Sequence, residues 1–543
     1  MSHILVPVLA LALSMVVIPL MLRLAPVLGL FDQPSPRKVH GAPVARVGGW
    51  GIVLGAVVPI AITLPLADPT VSAFLFGTLV LLAFGTWDDA RSISPYLKLL
   101  GQVIAAAAVV YVGDVWLERI PLLDPVLLPP EIGKPLSVLA LVTAVNAMNL
   151  SDGLDGLAGG VALLSLLAIV LLAYLAGGLR TTVIGLAVIG STLGFLRYNT
   201  HPARLFMGDA GSQVLGFTTG VLVVLLTQSA NQALSPAAAL LILGLPLADL
   251  VVVVAQRTWQ GVHWFRAGKN HLHHRLLELG FSHYEAVVLV YSAQAVFVLS
   301  GVLLRYADDA LVLAVYLLLC VAVFGVVFVA QQRGWCASGV HGPSPLARLL
   351  AGGRAERYCR RAGLWIIGLG LPVYAAGEGL ASRLVPRDFG VMSAVLLVVL
   401  GVELVLRRSV NSVTVRGVVY ATAVFIVYLS AHFAPAPLGE WSAVDIAFFT
   451  GLAGAVGLSV RCSQADTFRT TPMDYLMLFV LVVLGILPHD LFGAAAATEI
   501  VMKGIILLYA SELFLHEVRR RWNPVSLGTI AALGVMAYRG LTG

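Results

Sequence analysis

The chain has 543 residues, of which 59% are hydrophobic and only 11% are charged. This composition excludes an ordinary soluble domain and is typical of a protein that crosses a bilayer many times. The net charge of +6 comes from basic loops between apolar segments, so it does not indicate a nucleic-acid partner. The four cysteines form no CxxC pair and therefore predict neither a zinc site nor a disulfide framework.

Apolar segments of about 17–25 residues recur along the whole chain, and a helix of that length crosses the hydrocarbon core of a bilayer. They predict an all-α, polytopic transmembrane helix bundle with about 11 spans up to residue 330 and about seven C-terminal spans. The first segment, Ile4 to Leu22, is followed by Arg23 and has no basic flank before it. We therefore expect a retained span rather than a cleaved signal peptide.

A basic segment rich in glycine and proline, residues 331–363, separates two apolar blocks. The first block, residues 1–330, contains all the polar motifs described below. The second block, residues 364–543, is rich in Val, Leu, Ala and Gly and has few internal acids. The sequence thus predicts a membrane domain that carries the chemistry, a basic cytoplasmic linker, and a C-terminal multi-span domain of unknown function.

The loops alternate in charge along the chain, which predicts their orientation. Arg37 and Lys38 follow the first span, and later loops of the same side are also basic, whereas Asp114 and Glu118 lie in an opposite loop. Because Lys and Arg concentrate in cytoplasmic loops, we place the N-terminus outside and the basic loops in the cytoplasm. Every aspartate motif then falls on the cytoplasmic side.

Carboxylates gather at the ends of three predicted spans. Asp88 and Asp89 end the third span, and adjacent carboxylates resist joint ionisation unless a cation compensates them. Asn146, Asn149, Asp152 and Asp155 are spaced three apart; on a helix they form one stripe suited to metal, sugar or nucleotide contacts. Capping or an interhelical polar network is the alternative role for that stripe.

Two further motifs lie on the same predicted face. Asp209, between Gly208 and Gly211, opens the eighth span, where it could hold a metal or simply cap the helix. A basic loop contains His271, His273 and His274, which can bind either a metal or a diphosphate; the lack of zinc-spaced partners favours the phosphate. Asp249, inside the ninth span, is an intramembrane acid that we expect to face the bundle interior.

In combination these motifs resemble the polyprenyl-phosphate N-acetylhexosamine-1-phosphate transferase superfamily. The matching pieces follow the family's order over roughly residues 1–330: the Asp32-Gln33-Pro34 to Gly49 segment, the Asp88-Asp89 pair, Asn146 to Ala158, Gly194 to Ser212, Pro246 with Asp249, and His271 to His274. The HxHH form is similar to the bacterial branch that starts O-antigen, enterobacterial common antigen and teichoic acid synthesis. One departure is Gly268, where relatives often have an acidic residue.

The resemblance implies attack of polyprenyl (undecaprenyl) phosphate on the β-phosphorus of a UDP-N-acetyl-aminosugar, giving polyprenyl-diphosphate-sugar and UMP. Asp209 is then the Mg²⁺ ligand, with Mn²⁺ as the alternative ion. Asp88 and Asp89 position or deprotonate the lipid phosphate or assist the metal, and Asp152 supports this centre. His271, His273 and His274 hold the diphosphate. The implied substrate-binding residues are Asn149, Asp155, Asn199, Phe206, Arg37, Lys38, His40 and Arg275, of which Phe206 stacks on uracil and Asn199 and Asp155 lie near the nucleoside.

The resemblance also implies a location and partners. We expect a multi-pass protein of the bacterial inner membrane with its active site on the cytoplasmic face. Candidate protein partners are a second copy of the chain and glycosyltransferases that act later. Two alternative functions stay open: transfer of a UDP-MurNAc-pentapeptide in peptidoglycan synthesis, and a membrane transporter. The transporter lacks support because no inverted repeat is found.

Overall fold

The computed structural model describes most of the chain. The described residues are 5–32, 43–123, 126–262, 268, 270–337, 354–406, 413–433, 443–461, 495–518 and 522–542. They divide into two compact units, with the boundary between Ser338 and Gly339. Arg37, Lys38 and His40 lie outside the described residues.

The first unit is built of helices. Their bounds are α1 Leu5–Leu28, α2 Gly48–Thr63, α3 Pro69–Arg91, α4 Pro95–Ala107, α5 Pro130–Ser151, α6 Leu157–Leu175, α7 Leu179–Asn199, α8 Gly208–Leu225, α9 Ala238–Trp259, α10 Leu272–Glu278, α11 His283–Leu303 and α12 Asp309–Gln332. Short π-helical turns, Ala108–Val112 and Leu226–Ala230, extend α4 and α8.

The predicted all-α membrane fold is confirmed. Across the described ranges, eleven helices are long and apolar enough to span a membrane, nine in the first unit and two in the second. Helices α2 and α5 occupy two further predicted spans, but α2 has only 16 residues. Of the seven predicted C-terminal spans, the one centred near residue 481 lies outside the described residues.

A small sheet interrupts the helical pattern, and the sequence did not predict it. It consists of β1 (Phe31–Asp32), β2 (Val44–Arg46) and β3 (Leu205–Phe206), in the order β1-β2-β3. Strand β2 is antiparallel to β1 and parallel to β3, and the register places Arg46 opposite Phe206. The sheet thereby joins the segment before α2 to the segment before α8.

Helix α8 is the buried centre of the first unit. All of its membrane-span window is buried, and α2, α3 and α5 pack around it. Glycines permit the closest approaches, because a Cβ at Gly85 of α3 would overlap the backbone of Ala210, and one at Gly49 of α2 would meet the backbone of Gly211. Two helices therefore converge on the first turn of α8.

Helix α9 is broken in its middle. Gly244 has φ 47° and ψ −120°, a conformation open to glycine, and Pro246 follows it. The buried Gln294 of α11 hydrogen-bonds the backbone on either side of the break. Its Oε1 accepts from Leu245 N at 2.8 Å, and its Nε2 donates to Ile242 O at 3.2 Å. Its Nε2 also donates to Ser165 Oγ of α6 at 3.0 Å. The second half of α9, which carries Asp249, is thus held at a fixed angle.

The second unit contains six described helices. Their bounds are α13 Arg354–Ala381, α14 Arg387–Leu406, α15 Val413–Phe433, α16 Ala443–Arg461, α17 Ala495–Glu517 and α18 Pro524–Thr542. Its interior contains charged pairs. Arg416 and Tyr420 of α15 bond Glu512 of α17, and Lys503 Nζ of α17 lies 3.3 Å from Asp445 Oδ2 of α16.

The glycine at the α9 break provides a stability test. Gly244→Ala should lower the free energy of unfolding by about 1–3 kcal/mol through backbone strain alone, because an L-residue avoids this conformation. The added methyl would also displace the Gln294 amide. Thermal unfolding of the detergent-solubilised chain measures the effect. Gly325→Ala in α12 is the control, since a Cβ there meets nothing within 4 Å; equal melting temperatures for the two variants would contradict the prediction.

Candidate functional site

A cavity of about 550 Å³ opens at the end of the first unit where the aspartate motifs meet. Eight of the predicted site residues line it: Asp89, Asn149, Asp152, Asp155, Asn199, Phe206, Asp209 and His274. The cavity wall also includes residues that the sequence did not single out as site residues: Asp32, Arg46, His201 and His283. Segments far apart in sequence therefore converge on one chamber.

Asp89 closes the N-terminal end of α8. Its Oδ1 accepts from Asp209 N at 3.0 Å and its Oδ2 accepts from Ala210 N at 3.3 Å. The carboxylate is almost fully buried, at 1% side-chain exposure, and Arg46 NH1 lies 3.7 Å from it. Gly208 precedes this turn with φ +71°, and a Cβ there would overlap the Asp89 carboxylate. The first backbone amides of α8 thus bind a carboxylate of the protein itself.

Lys98 of α4 bridges Asp88, a predicted catalytic residue, and Asp209, the predicted metal ligand. Its Nζ lies 2.8 Å from Asp88 Oδ2 and also contacts Asp209 Oδ2. Asn149 Nδ2 donates to Asp209 Oδ1 at 3.0 Å and to Ser212 Oγ at 2.8 Å. The sequence predicted no role in the site for Lys98. Its place in the first turn of α4, the helix after the Asp88-Asp89 pair, was the available signal.

The stripe from Asn146 to Asp155 is not one helical face. Helix α5 ends at Ser151, Asp152 has φ −82° and ψ 66°, and Gly156 adopts a left-handed φ of +80°. The single-helix expectation is therefore wrong beyond Ser151, because Gly156 permits a turn that a helix does not. Asn146 Nδ2 bonds Gln102 Oε1 at 2.7 Å, away from the cavity, while Asp152 and Asp155 reach its wall.

The two carboxylates of this turn have opposite pKa shifts. Burial, together with the charges of Asp209 and Asp155, raises the pKa of Asp152 to about 7. Burial also raises the pKa of Asp155, but hydrogen bonds from His201 and Ala203 N and the nearby His283 outweigh it and hold that pKa below its ordinary value. Asp155 is therefore an ionised acceptor at neutral pH, whereas Asp152 can carry a proton.

Asp155, His201 and His283 form a compact group whose potential ligand atoms lie within 4.8 Å of one another. The two imidazole rings are stacked, with centroids 4.1 Å apart and planes 23° apart. The in-plane lone pairs of stacked rings run nearly side by side and do not converge on one ion. His201 Nδ1 instead lies 2.6 Å from Asp155 Oδ2, so the group is better described as a hydrogen-bonded pair with a stacked ring.

Asn199 is buried, and its side-chain oxygen and nitrogen each bond one backbone group. Its Oδ1 accepts from Gly156 N at 2.9 Å, and its Nδ2 donates to Leu205 O at 3.0 Å. The side chain joins the turn after α5 to strand β3, next to Phe206 in the cavity wall. Its part in nucleoside binding stays a prediction, and the bonds observed here position its neighbours.

The histidine motif divides between the protein interior and the cavity. Helix α10 begins at Leu272, so His271 lies before it, where its Nδ1 is 2.8 Å from Asp249 Oδ2. The expectation that Asp249 faces the interior is confirmed, since it is buried and also accepts from Leu272 N at 3.0 Å. His273 is buried against Gly153, and His274 alone of the three lines the cavity.

The buried side chain of Arg275 holds the loop before α10 through hydrogen bonds. Its Nε donates to Asn270 O at 2.9 Å and its guanidinium bonds Gln256 of α9. The side chain is buried and does not line the cavity. In the structure Arg275 therefore hydrogen-bonds other parts of the protein, and its role in substrate binding stays a prediction.

Comparison with known proteins shows which sequences the chain is similar to. The profile of Glycosyl transferase family 4 matches residues 71–227. A Bacillus subtilis protein, "Probable undecaprenyl-phosphate N-acetylglucosaminyl 1-phosphate transferase", is 33% identical over 294 residues, which cover 54% of this chain and 82% of the relative. "Undecaprenyl-phosphate alpha-N-acetylglucosaminyl 1-phosphate transferase" of Haemophilus influenzae is 33% identical over 284 residues, 51% of this chain and 79% of the relative. The Escherichia coli K12 protein of the same name is 30% identical over 296 residues, with 52% and 79% covered.

The chain belongs to the polyprenyl-phosphate hexosamine-1-phosphate transferase family. It is accordingly an enzyme, and the transporter alternative is set aside. The similarity does not extend over the C-terminal block. All the cavity residues named above belong to the first unit of the transferase.

The residues around Asp209 suit a hard divalent cation. Carboxylate oxygens are the ligands that Mg²⁺ prefers, and Asp88 and Asp209 face a common point. The Lys98 ammonium lies at that point, which shows that the position stabilises positive charge. A metal ion bound by Asp209 would compete with Lys98 for the same oxygens.

Burial of His273 gives the transferase a pH-dependent stability. Burial and the neighbouring His274, His271 and His283 lower its pKa from 6.5 to about 3. The folded ring stays neutral while the unfolded chain takes up a proton, so this contribution is present above pH 6.5 and is lost as pH falls toward 3.

We therefore expect His273→Gln to reduce the fall in melting temperature between pH 7.5 and pH 5. Scanning fluorimetry measures how the melting temperature changes with pH for the wild type and for His273→Gln; this change is called the slope below. Asp114→Asn, at an exposed position that leaves every histidine in place, should retain the wild-type slope. A His273→Gln slope equal to that of the wild type would contradict the prediction.

Proposed function

We propose that the first unit transfers an N-acetyl-aminosugar 1-phosphate from a UDP-sugar to undecaprenyl phosphate on the cytoplasmic face of the bacterial inner membrane. The observation that carries the proposal is the Asp88–Lys98–Asp209 cluster, of which Asp209 lines the cavity. The relatives' names supply the acceptor lipid and the N-acetylglucosaminyl group. The reaction would be the first membrane step of cell-surface polysaccharide synthesis.

The reaction forms one bond and breaks one bond. An oxygen of the lipid phosphate bonds to the β-phosphorus of the UDP-sugar, the bridging bond to the α-phosphate breaks, and UMP leaves. A phosphate monoester has a second pKa near 6, so the nucleophile is largely ionised and needs no strong base. Catalysis then depends on in-line positioning and on charge neutralisation.

Cations beside the chamber can supply this neutralisation. Mg²⁺, with Mn²⁺ as the alternative, would be held by Asp209 and Asp88 and would offset charge on the diphosphate. Lys98 would then turn from Asp209 to the acceptor phosphate. Asp89 already accepts two backbone N–H bonds, so we assign it to holding α8 in place rather than to proton abstraction.

Apolar side chains beside the cluster provide a route for the lipid. Trp87 of α3 and Tyr96 and Leu100 of α4 are exposed, and they flank Asp88 and Lys98 in sequence. In a bilayer these side chains would contact acyl chains, so a polyprenyl tail can lie against α3 and α4 while its phosphate reaches Asp88. The UDP-sugar would enter the cavity from the aqueous side.

The decisive assay is UMP release from UDP-N-acetylglucosamine by the purified chain with undecaprenyl phosphate and Mg²⁺. Asp209→Asn should lower turnover about 10³-fold or more, because several kcal/mol of charge stabilisation is lost. Asp114→Asn, the same change at an exposed position, should keep wild-type turnover. Full turnover in Asp209→Asn, or no UMP release by the wild type from any UDP-aminosugar, would refute the proposal.

The metal can be tested without turnover. MgCl₂ should raise the melting temperature of the wild type through ligand binding to the folded state, and Asp209→Asn should abolish that rise. Lys98→Met removes the competing ammonium and should enlarge the rise, with Asp114→Asn again as the control. An equal rise in the wild type and Asp209→Asn would place the ion elsewhere.

A further inference from the structure

The carboxylate of Asp155 is held by one oxygen only. Its Oδ2 lies 2.6 Å from His201 Nδ1 and accepts from Ala203 N at 3.1 Å. No described residue bonds its Oδ1, although Asp155 lines the cavity wall. The side chain therefore presents one anchored oxygen and one open oxygen, and a carboxylate oxygen can only accept a hydrogen bond.

The ring of His201 packs against two other rings, and its backbone oxygen is also bonded. His283 stacks on it at 4.1 Å, and Tyr284 packs edge-on with ring centroids 5.1 Å apart. Tyr284 OH also donates to His201 O at 3.2 Å. These contacts leave the imidazole little rotational freedom, so its Nδ1 stays directed at Asp155.

The His201–Asp155 pair does not reach the Asp209 cluster. Its partners among the described residues are Ala203, His283 and Tyr284, whereas Lys98 and Asp88 pair with each other. The pair lies in the wall that also contains Phe206, an aromatic side chain able to stack on a planar ring. The chamber thus has a phosphate-facing region and a separate region with one planar surface and one open acceptor.

We propose that His201 is a positioning residue that aims the open oxygen of Asp155 at a nucleobase N–H, and that the pair thereby selects uracil over cytosine. Uracil carries a ring N–H between two carbonyls, whereas cytosine has an unprotonated ring nitrogen there, which the carboxylate would repel. The inference rests on the proposed UDP-sugar function and adds the residue that determines base specificity.

Three variants at position 201 separate the hydrogen bond from the ring. His201→Asn keeps an N–H donor near the Nδ1 position but removes the ring. His201→Phe keeps the stacked ring but removes the donor. His201→Gln keeps an amide of the same polarity but moves its donor one carbon farther out. If the hydrogen bond positions Asp155, only His201→Asn should behave like the wild type.

The measurement is calorimetric titration of the full-length purified chain with UMP and with CMP. We expect the wild type to prefer UMP, and His201→Phe and His201→Gln to lose about 10-fold or more of UMP affinity with little change for CMP. His201→Asn should stay within about 3-fold of the wild type. In turnover assays, His201→Phe should raise KM for the UDP-sugar about 10-fold while kcat changes less than about 2-fold, because His201 does not touch the reacting phosphates.

A double variant tests whether the effect of His201→Phe is purely structural. In an Asp155→Asn background, His201→Phe should change UMP affinity by less than about 2-fold, because the carboxylate that it positions is gone. Equal losses in both backgrounds, or a wild-type UMP to CMP ratio in His201→Phe, would overturn the inference while leaving the proposed function intact. A wild-type chain that does not prefer UMP to CMP would also overturn the inference, and the UMP-release assay separately shows whether the proposed transfer fails.

Discussion

The first turn of α8 is the constraint on which the site depends. A helix that begins inside a protein leaves backbone N–H groups that need partners, and water is scarce within an apolar bundle. Asp89 supplies two of those bonds from α3, and the close approach at Gly85 brings α3 near enough to do so. Because Asp209 is the second residue of α8, the same contacts determine where its carboxylate points.

The charges of the chamber follow from this arrangement. Asp88, Asp89 and Asp209 meet in a poorly hydrated place, where unpaired carboxylates are costly. Arg46 and Lys98 approach them from the small sheet and from α4. Lys98 thereby offsets the charge of Asp88 and Asp209, and Arg46 lies near Asp89, so the carboxylates can share one buried region.

The second unit also pairs the charges in its interior. Arg416 pairs with Glu512, and Lys503 pairs with Asp445 while lying 5.6 Å from the centroid of the Phe449 ring. Charges at membrane depth persist when they pair, so these contacts join α15, α16 and α17 through polar contacts that lipid cannot replace. The similarity to known transferases ends before this unit, and its polar core is a feature of its own.

The sequence by itself determined the membrane class, most helices, and the motifs that carry the family, because apolar length and local spacing are properties of neighbouring residues. It also named eight residues of the cavity wall, including Asp209 and Phe206. Only the tertiary structure decided that Lys98 bridges two carboxylates, that Asp89 binds the start of α8, and that His201 anchors Asp155. Those contacts join helices, turns and strands separated by tens of residues, and no local pattern encodes such a pairing. The turn at Gly156 shows the same limit: three-residue spacing predicted one helical stripe, and the break in the helix divided it.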